Sequence, residues 1–213
     1  MKHPTVGITR KDVLGAMDPT IWDFANDWLY KLCRQYPKHA EESHCIAKVW
    51  LIGRSYSAAI ERKSAPAGSD KLYKDIAPKM QRSKLDELIA ALPDGRSSYL
   101  TRFSRGVEVH AELMKIWSSA GAKGKRSLAS KYLHFHRSDI FPILDSFALG
   151  AIRKVTPGMR HMDQLSAATG DETYMAFCTR YAWFLNHIEE RFQLHPSLRQ
   201  VDQLLLAIAG RKP

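Results

Sequence analysis

Apolar residues recur every three or four positions along most of the chain, which is the pattern of amphipathic α-helices that pack on one side. The first such segment is predicted to begin with Asp18 as its cap and Pro19 in the first helical position, and to end before Pro37. We expect its apolar residues to face the core: Ile21, Phe24, Ala25, Trp28, Leu29 and Leu32.

Further helices are expected over residues 40–63, 83–92, 107–117, 126–135, 145–154, 172–192 and 197–209. Shorter segments cover residues 72–76, with a break near Pro78, and residues 162–168, and a loop covers 64–70. No segment alternates apolar and polar residues convincingly, as a half-buried strand would. The prediction is an all-α fold with about eight to ten helices. The chain is predicted to form one domain over residues 1–213, either compact or built from two lobes over about 1–106 and about 107–213.

The composition is that of a globular chain with one sizeable core, since 45% of the 213 residues are hydrophobic. The chain has no apolar run of the length that crosses a bilayer, and its first ten residues lack the apolar centre of a signal peptide. We therefore expect a cytoplasmic protein without a membrane partner. The three cysteines are isolated and form neither a CxxC pair nor a zinc spacing, so we expect reduced thiols, no metal and no cofactor.

The charge balance indicates an anionic partner. The chain has 32 Lys and Arg against 22 Asp and Glu, a formal net charge of +10. Six of the basic residues lie between Glu112 and Asp139, with no acidic residue among them. Nucleic acid is the commonest partner of such a field, and a membrane surface is the alternative.

A glycine-rich turn lies within this basic stretch, at residues 121–126, which we call the basic hairpin. A turn with two glycines before a helix presents backbone N–H groups and the positive end of the helix dipole, an arrangement that binds phosphate. An ordinary flexible basic loop is the alternative. After the next helix, Asp145 ends an apolar run, where a carboxylate is costly to bury unless it caps a helix or serves catalysis.

The order helix, glycine-rich hairpin, helix, loop and aspartate resembles the helix-hairpin-helix DNA glycosylases, especially the 8-oxoguanine-type branch, over about residues 112–152. The resemblance implies that the backbone amides of Gly121 to Gly124 grip a phosphate. It also implies that Asp145 assists attack on C1′ of a flipped nucleotide. Bifunctional members of the family carry a lysine at the end of the hairpin.

The position of that lysine is open in this chain. The family's spacing falls on or next to Arg126, and Lys125 lies one residue earlier. Arginine stays protonated and cannot form a Schiff base, whereas a desolvated lysine can. The predicted catalytic residues are therefore Asp145 and Lys125. If Lys125 does not fill this role, the chemistry is simple hydrolysis.

The remaining candidates belong to binding surfaces. Phosphate is expected to contact Gly121, Lys123, Gly124, Lys125, Arg126 and Lys131. A base pocket is expected to include Trp117, Tyr132, His134, His136, Tyr56 and Arg54. The alternative is that Trp117, Tyr132 and Tyr56 are packing residues. His134 and His136 are two positions apart, so on a helix they face different directions and cannot jointly bind a metal.

The sequence is compatible with three functions. The leading hypothesis is a DNA glycosylase of repair or antiviral defence, which flips a damaged or modified base out of double-stranded DNA and hydrolyses its N-glycosidic bond. The alternative is a non-catalytic nucleic-acid-binding helix-hairpin-helix module of a repair or phage-defence system. The third is a helical protein whose basic face contacts an acidic protein. No protein partner is specified by any motif.

Overall fold

A computed structural model describes residues 7–62, 70–159, 165 and 170–210. These residues form ten α-helices and no strand, so the all-α prediction is confirmed for the part of the chain described. The helices are α1 (Arg10–Met17), α2 (Ile21–Gln35), α3 (Glu42–Ser55), α4 (Lys71–Gln81), α5 (Leu85–Ala90), α6 (Tyr99–Ser119), α7 (Arg126–His136), α8 (Ser146–Val155), α9 (Glu172–Phe192) and α10 (Leu198–Gly210). None of them is long and apolar enough to cross a membrane.

Helices α8, α9 and α10 lie where they were predicted, because each begins at a local cap. Asp145 accepts the N–H of Ala148 at the start of α8, and Asp171 accepts the N–H of Tyr174 at the start of α9. The Ser197 hydroxyl accepts the N–H of Gln200 at the start of α10. These bonds span three residues, so the sequence alone contains both partners.

The N-terminal boundaries differ from the prediction. A separate helix, α1, occupies the expected leader, with Thr9 and Asp12 forming a capping box. Asp18 follows the end of α1 and does not cap α2; that position belongs to Thr20, which forms a capping box with Asp23. The first six residues, the predicted loop except Asp70, and the segment 162–168 except Leu165 lie outside the described residues.

Several other helix boundaries also differ from the predicted ones. The helix expected to reach residue 63 stops at Ser55, because Ser57 adopts a left-handed conformation with φ 50° and the N–H of Ala58 turns back to the Gly53 carbonyl. α4 continues through Pro78 without the expected break, since its buried face includes Ile76 and Met80 on either side of the proline. α5 is shorter than predicted and α6 begins eight residues earlier than predicted.

Of the six apolar residues of α2 that were predicted to face the core, Leu29 alone is buried, which is a correction to the predicted packing. The buried residues of this helix are Asn26, Leu29 and Cys33. Ile21, Phe24 and Trp28 are exposed instead. Helical periodicity identifies an apolar stripe, but the neighbours available for packing decide whether it is buried.

Buried residues form two hydrophobic clusters. The first joins α2 to α5 with the C-terminal half of α6 and with α7, and the second joins α1, the N-terminal half of α6 and α8 to α10. Helix α6 passes through both, with Val107 in the second cluster and Leu113 in the first. The segment between α7 and α8 crosses from Phe141 in the first cluster to Leu144 in the second, directly before Asp145.

Candidate functional site

The basic hairpin forms a tight turn between α6 and α7. Gly121 and Gly124 both have positive φ, 94° and 69°, a conformation that other residues rarely adopt. A Cβ at either position would meet no atom within 4 Å, so backbone conformation and not crowding favours glycine here. Ala122 is buried and its N–H bonds to the Trp117 carbonyl at 2.9 Å, which anchors the turn to α6.

The first turn of α7 has no side-chain cap. Lys125 occupies the N-cap position and makes no capping hydrogen bond from its side chain. The first N–H groups of a helix have no partner within the helix. Because residues 124–128 line a cavity, this end of α7 can offer those donors and its dipole to an anion.

The cavity beside the hairpin has a volume of about 680 Å³. One wall comes from residues 56–59 after α3, a second from residues 124–128, and the third from residues 144–147. Arg62 and Lys125 lie among its lining residues, and Lys131 and Asp145 line it from α7 and the start of α8. Its size falls within the range of small-ligand sites.

Lys131 is the buried cation of this cavity. Its side chain is 4% exposed, and Nζ donates to the Ser127 hydroxyl at 2.8 Å and lies 3.8 Å from Asp145 Oδ2. Nζ also lies 5.6 Å from the centre of the Tyr56 ring. Burial lowers the pKa of Lys131, and the carboxylates of Asp145 and Asp202 partly oppose that shift. The amine is therefore easier to deprotonate than that of a surface lysine.

Asp145 has one oxygen engaged and one facing the lysine. Oδ1 accepts the N–H of Ala148 at 2.9 Å, which caps α8, while Oδ2 points toward Lys131. Its side chain is 28% exposed. A distance of 3.8 Å is too long for a hydrogen bond, so the pair is held by charge, with capacity left on Oδ2 for another donor.

A second acid was missed by sequence reasoning. Asp202 on α10 is buried, receives a 2.6 Å hydrogen bond from Arg199 Nη1, and leaves Oδ1 without a hydrogen-bond partner. Burial raises the pKa of Asp202 to about 7, although Arg199 pulls it down. The available signal was a carboxylate on the apolar side of a helix, between Leu198 and Leu205.

The guanidinium of Arg126 is held by an acid, although its side chain is 36% exposed. Its guanidinium donates to both oxygens of Asp171, at 2.5 and 2.6 Å, in a bidentate pair. Asp171 is mostly buried and also caps α9. This placement speaks against the predicted contact of the Arg126 side chain with phosphate, because the fork of donors is already occupied.

We expect Asp171→Asn to lower the free energy of unfolding by about 1–2 kcal/mol at neutral pH, because the charged partner of Arg126 is lost while Asn still caps α9. Burial alone would raise the pKa of Asp171, but bonds from Arg126 and the Tyr174 N–H outweigh it and lower the pKa overall. The native carboxylate thus stabilises the protein above its unfolded pKa, and this stabilisation is lost as pH falls through the lower folded pKa.

The urea midpoints of wild type and Asp171→Asn should therefore differ most at neutral pH and converge below about pH 4. A gap of constant size down to the lowest pH at which the protein folds would contradict the charge pairing. Glu172→Gln, at the neighbouring position in α9, serves as the matched control.

The lysines of the hairpin have separate positions. Lys123 is exposed at the tip of the turn, and the Lys125 ammonium donates to the carbonyl of Arg62 across the cavity rim. Lys131, six positions after Lys125, is the lysine beside Asp145. The spacing of the resembled family predicts Lys125 as the catalytic amine, whereas the lysine closest to Asp145 in this site is Lys131.

Four of the six predicted base-pocket residues do not line the cavity: Trp117, Tyr132 and His134 are buried, and His136 is partly buried. Tyr132 donates to or accepts from His39 Nε2 at 2.7 Å, and His134 bonds both Tyr30 and the Phe141 carbonyl. Trp117 is fully buried. His136 stacks on His39 with its Nε2 buried.

Of the other two predicted pocket residues, Arg54 is exposed and Tyr56 is partly buried. Arg54 pairs with Glu61 at a separate depression of about 350 Å³. Tyr56 alone among the six lines the cavity that contains Lys131 and Asp145. The structure therefore replaces most of the predicted pocket with the Tyr56–Ala59 segment, the hairpin and the start of α8.

No family model, curated protein or solved structure matches the chain. Within the described residues, no group of three or more His, Cys, Asp or Glu side chains could hold a metal ion.

Proposed function

We propose that the chain is a helix-hairpin-helix glycosylase-like enzyme that flips a damaged or modified base out of duplex DNA and hydrolyses its N-glycosidic bond. The observation that supports this most is the juxtaposition of Lys131 and Asp145, 3.8 Å apart, in a cavity whose rim is the basic hairpin. A partly buried, charge-paired acid beside the start of a helix is suited to a substrate with a phosphate next to a reacting sugar.

Binding would use the hairpin in two ways. The backbone amides of the first turn of α7, which has no side-chain cap, would bind one phosphate, while Lys123 and Arg62, both exposed, would neutralise its neighbours. A contact to phosphate fixes the position of the strand without reading its sequence. The choice of base would then depend on the cavity walls, where Tyr56 can stack on an extruded ring.

Cleavage would use Asp145. As the C1′–N bond breaks, the base leaves with the electron pair and the sugar becomes cationic, and the carboxylate stabilises that charge in a partly buried site. Water then adds to C1′ and passes a proton to Oδ2 of Asp145, the oxygen that does not cap α8. The base, which left as an anion, takes up a proton from solvent while Asp145 returns its proton to solvent. The products are the neutral free base and an abasic site. Lys131 faces Oδ2 of this carboxylate from 3.8 Å.

The test is base release from a panel of duplexes that carry damaged or naturally modified bases. Strand breaks that require alkali would reveal abasic sites and support hydrolysis. Breaks without alkali, together with a borohydride-trapped protein–DNA adduct, would instead assign lyase chemistry to a lysine, which the lowered pKa of Lys131 would permit. Absence of base release across the panel would count against glycosylase activity.

The second candidate is a nucleic-acid-binding module without catalysis. The observation in its favour is that Asp145 caps α8, a structural role that accounts for the residue by itself. Under this reading the hairpin binds DNA and no substitution at Asp145 affects a reaction.

Both readings expect the hairpin tip to bind phosphate. We predict that Lys123→Ala weakens duplex binding about equally for all sequences and reduces the slope of log affinity against log salt by about 1, because one phosphate contact is lost. Fluorescence anisotropy across a salt series measures both quantities. The control is Lys74→Ala, which removes another exposed lysine, paired with Asp70 on α4, and should leave the slope unchanged. Equal slopes for Lys123→Ala and wild type would remove the hairpin tip from the interface.

A further inference from the structure

Helix α2 carries an apolar stripe on its outer side. Ile21, Phe24 and Trp28 are 77%, 75% and 71% exposed, and Ala25 and Leu32 continue the stripe at helical spacing. Single exposed apolar residues are common, but three large ones on consecutive turns of one helix form a patch of the kind that marks an interaction site. The cavity described above lies elsewhere, since no residue of α2 lines it.

A groove lies beside the C-terminal half of this stripe. It has a volume of about 890 Å³ and is lined by Trp28 and Leu32 of α2 and by Leu51 and Ser55 of α3, among others. The protruding side chains Ile21 and Phe24 lie in the other half of the helix. The helix therefore has a projecting end and a recessed end.

We propose that this surface binds a second copy of the chain, with the two α2 helices antiparallel about a two-fold axis near Trp28. This arrangement places Phe24 of each copy opposite Leu32 of the other, so that each projecting end enters the groove of its partner. An interface of this type is isologous, because the same patch serves both copies.

Charge complementarity selects the antiparallel orientation. The N-terminal half of α2 contains Asp23 and Asp27, and the C-terminal half contains Lys31 and Arg34. About an axis near Trp28, Asp27 approaches Lys31 of the second copy. Asp23 takes no part in this pairing, because Gln203 and Arg199 of its own copy already contact its carboxylate. A parallel pairing would place like charges together, which is unfavourable.

The charges within one copy do not prevent this pairing. Lys31 lies 2.6 Å and Arg34 lies 3.6 Å from Asp27 in the same helix, and all three side chains are about half exposed. Surface pairs of this kind contribute little and are easily shared with a second partner.

The available area suits a reversible dimer. Two aromatic side chains and an isoleucine, mostly exposed, offer roughly 500 Å² per copy, given that an aromatic residue can bury about 150–250 Å². Two such patches approach the lower end of specific interfaces, at about 1,200 Å² in total. We therefore expect dissociation on dilution and not a permanent dimer.

Sedimentation equilibrium of the full chain tests the proposal. The wild type should approach twice the monomer mass as concentration rises into the high micromolar range, and Phe24→Asp should stay monomeric. The matched control is Phe147→Asp on α8. Phe147 is 64% exposed but lies outside the stripe, so this variant should dimerise like the wild type. A monomeric wild type, or equal behaviour of the two variants, would overturn the proposal.

A charge exchange tests the orientation. Asp27→Lys and Lys31→Asp should each raise the dissociation constant by about tenfold or more, because like charges then face each other across the axis. An equimolar mixture of the two variants should recover wild-type affinity, since one copy then carries two lysines and the other two aspartates. Circular dichroism checks that both variants keep their helices. A mixture that associates no better than either variant alone would overturn the antiparallel arrangement.

Discussion

Asp145→Asn should abolish most base release and leave the fold intact. Asparagine caps helices about as well as aspartate, so the bond to the Ala148 N–H can persist in the variant. The charge is lost, and with it the stabilisation of a cationic sugar in the cavity. By comparison with other removals of electrostatic stabilisation, we expect a rate loss of about 10²–10³-fold or more. Alkali-labile strand breaks in a duplex that the wild type processes measure the effect.

The matched control for this prediction is Asp94→Asn. Asp94 also accepts a backbone N–H, from Arg96, but lies in an exposed turn outside the cavity. Thermal unfolding should give similar midpoints for both variants and the wild type. If Asp145→Asn releases base as fast as the wild type on every duplex that the wild type processes, the catalytic role of Asp145 is wrong and another group performs the cleavage. If no duplex is processed even by the wild type, the binding-module reading is favoured.

Trp117→Ala should lower the free energy of unfolding by about 3–5 kcal/mol, the cost of removing a large aromatic side chain from a packed core. Trp117 is fully buried, its indole N–H lies 3.4 Å from Met80 Sδ, and its ring meets the edge of Tyr132 with centroids 5.7 Å apart. The shortened side chain would leave a cavity between α4, α6 and α7. Urea unfolding followed by circular dichroism measures the loss.

A half-exposed tryptophan provides the comparison. Trp50 on α3 is 45% exposed. Trp50→Ala should therefore lower the free energy of unfolding by about 1 kcal/mol, which is less than half of the Trp117 effect. Equal losses for the two variants would show that Trp117 is not a core residue. The prediction that it lines a base pocket would then regain support.

The site depends on contacts between the two hydrophobic clusters. Lys131 projects from α7, whose Leu128 and Tyr132 belong to the first cluster, whereas Asp145 precedes α8, whose Ala148 belongs to the second. The separation of the charged pair is therefore set by how the clusters pack. Substitutions at their junction can alter the site without touching either residue.

The features that the sequence determined are those whose partners lie close together along the chain. The starts of α8, α9 and α10 could be predicted because Asp145, Asp171 and Ser197 bond to N–H groups three residues away. The hairpin between α6 and α7 could be located because Gly121 and Gly124 permit left-handed turns. Capping and turn formation are local, so residue type and spacing are sufficient to predict them.

Tertiary structure decided which residues meet. Periodicity predicted an apolar stripe on α2, but the packing of its neighbours buried Asn26 and Leu29 and left Phe24 exposed. Spacing along the chain favoured Lys125 as the amine of the site, whereas the orientation of α7 against α8 brought Lys131 to Asp145. Arg126 forms its ion pair with Asp171, which lies 45 positions later in the chain. Such contacts depend on the relative placement of distant helices, which many packing interactions determine jointly and no local pattern encodes.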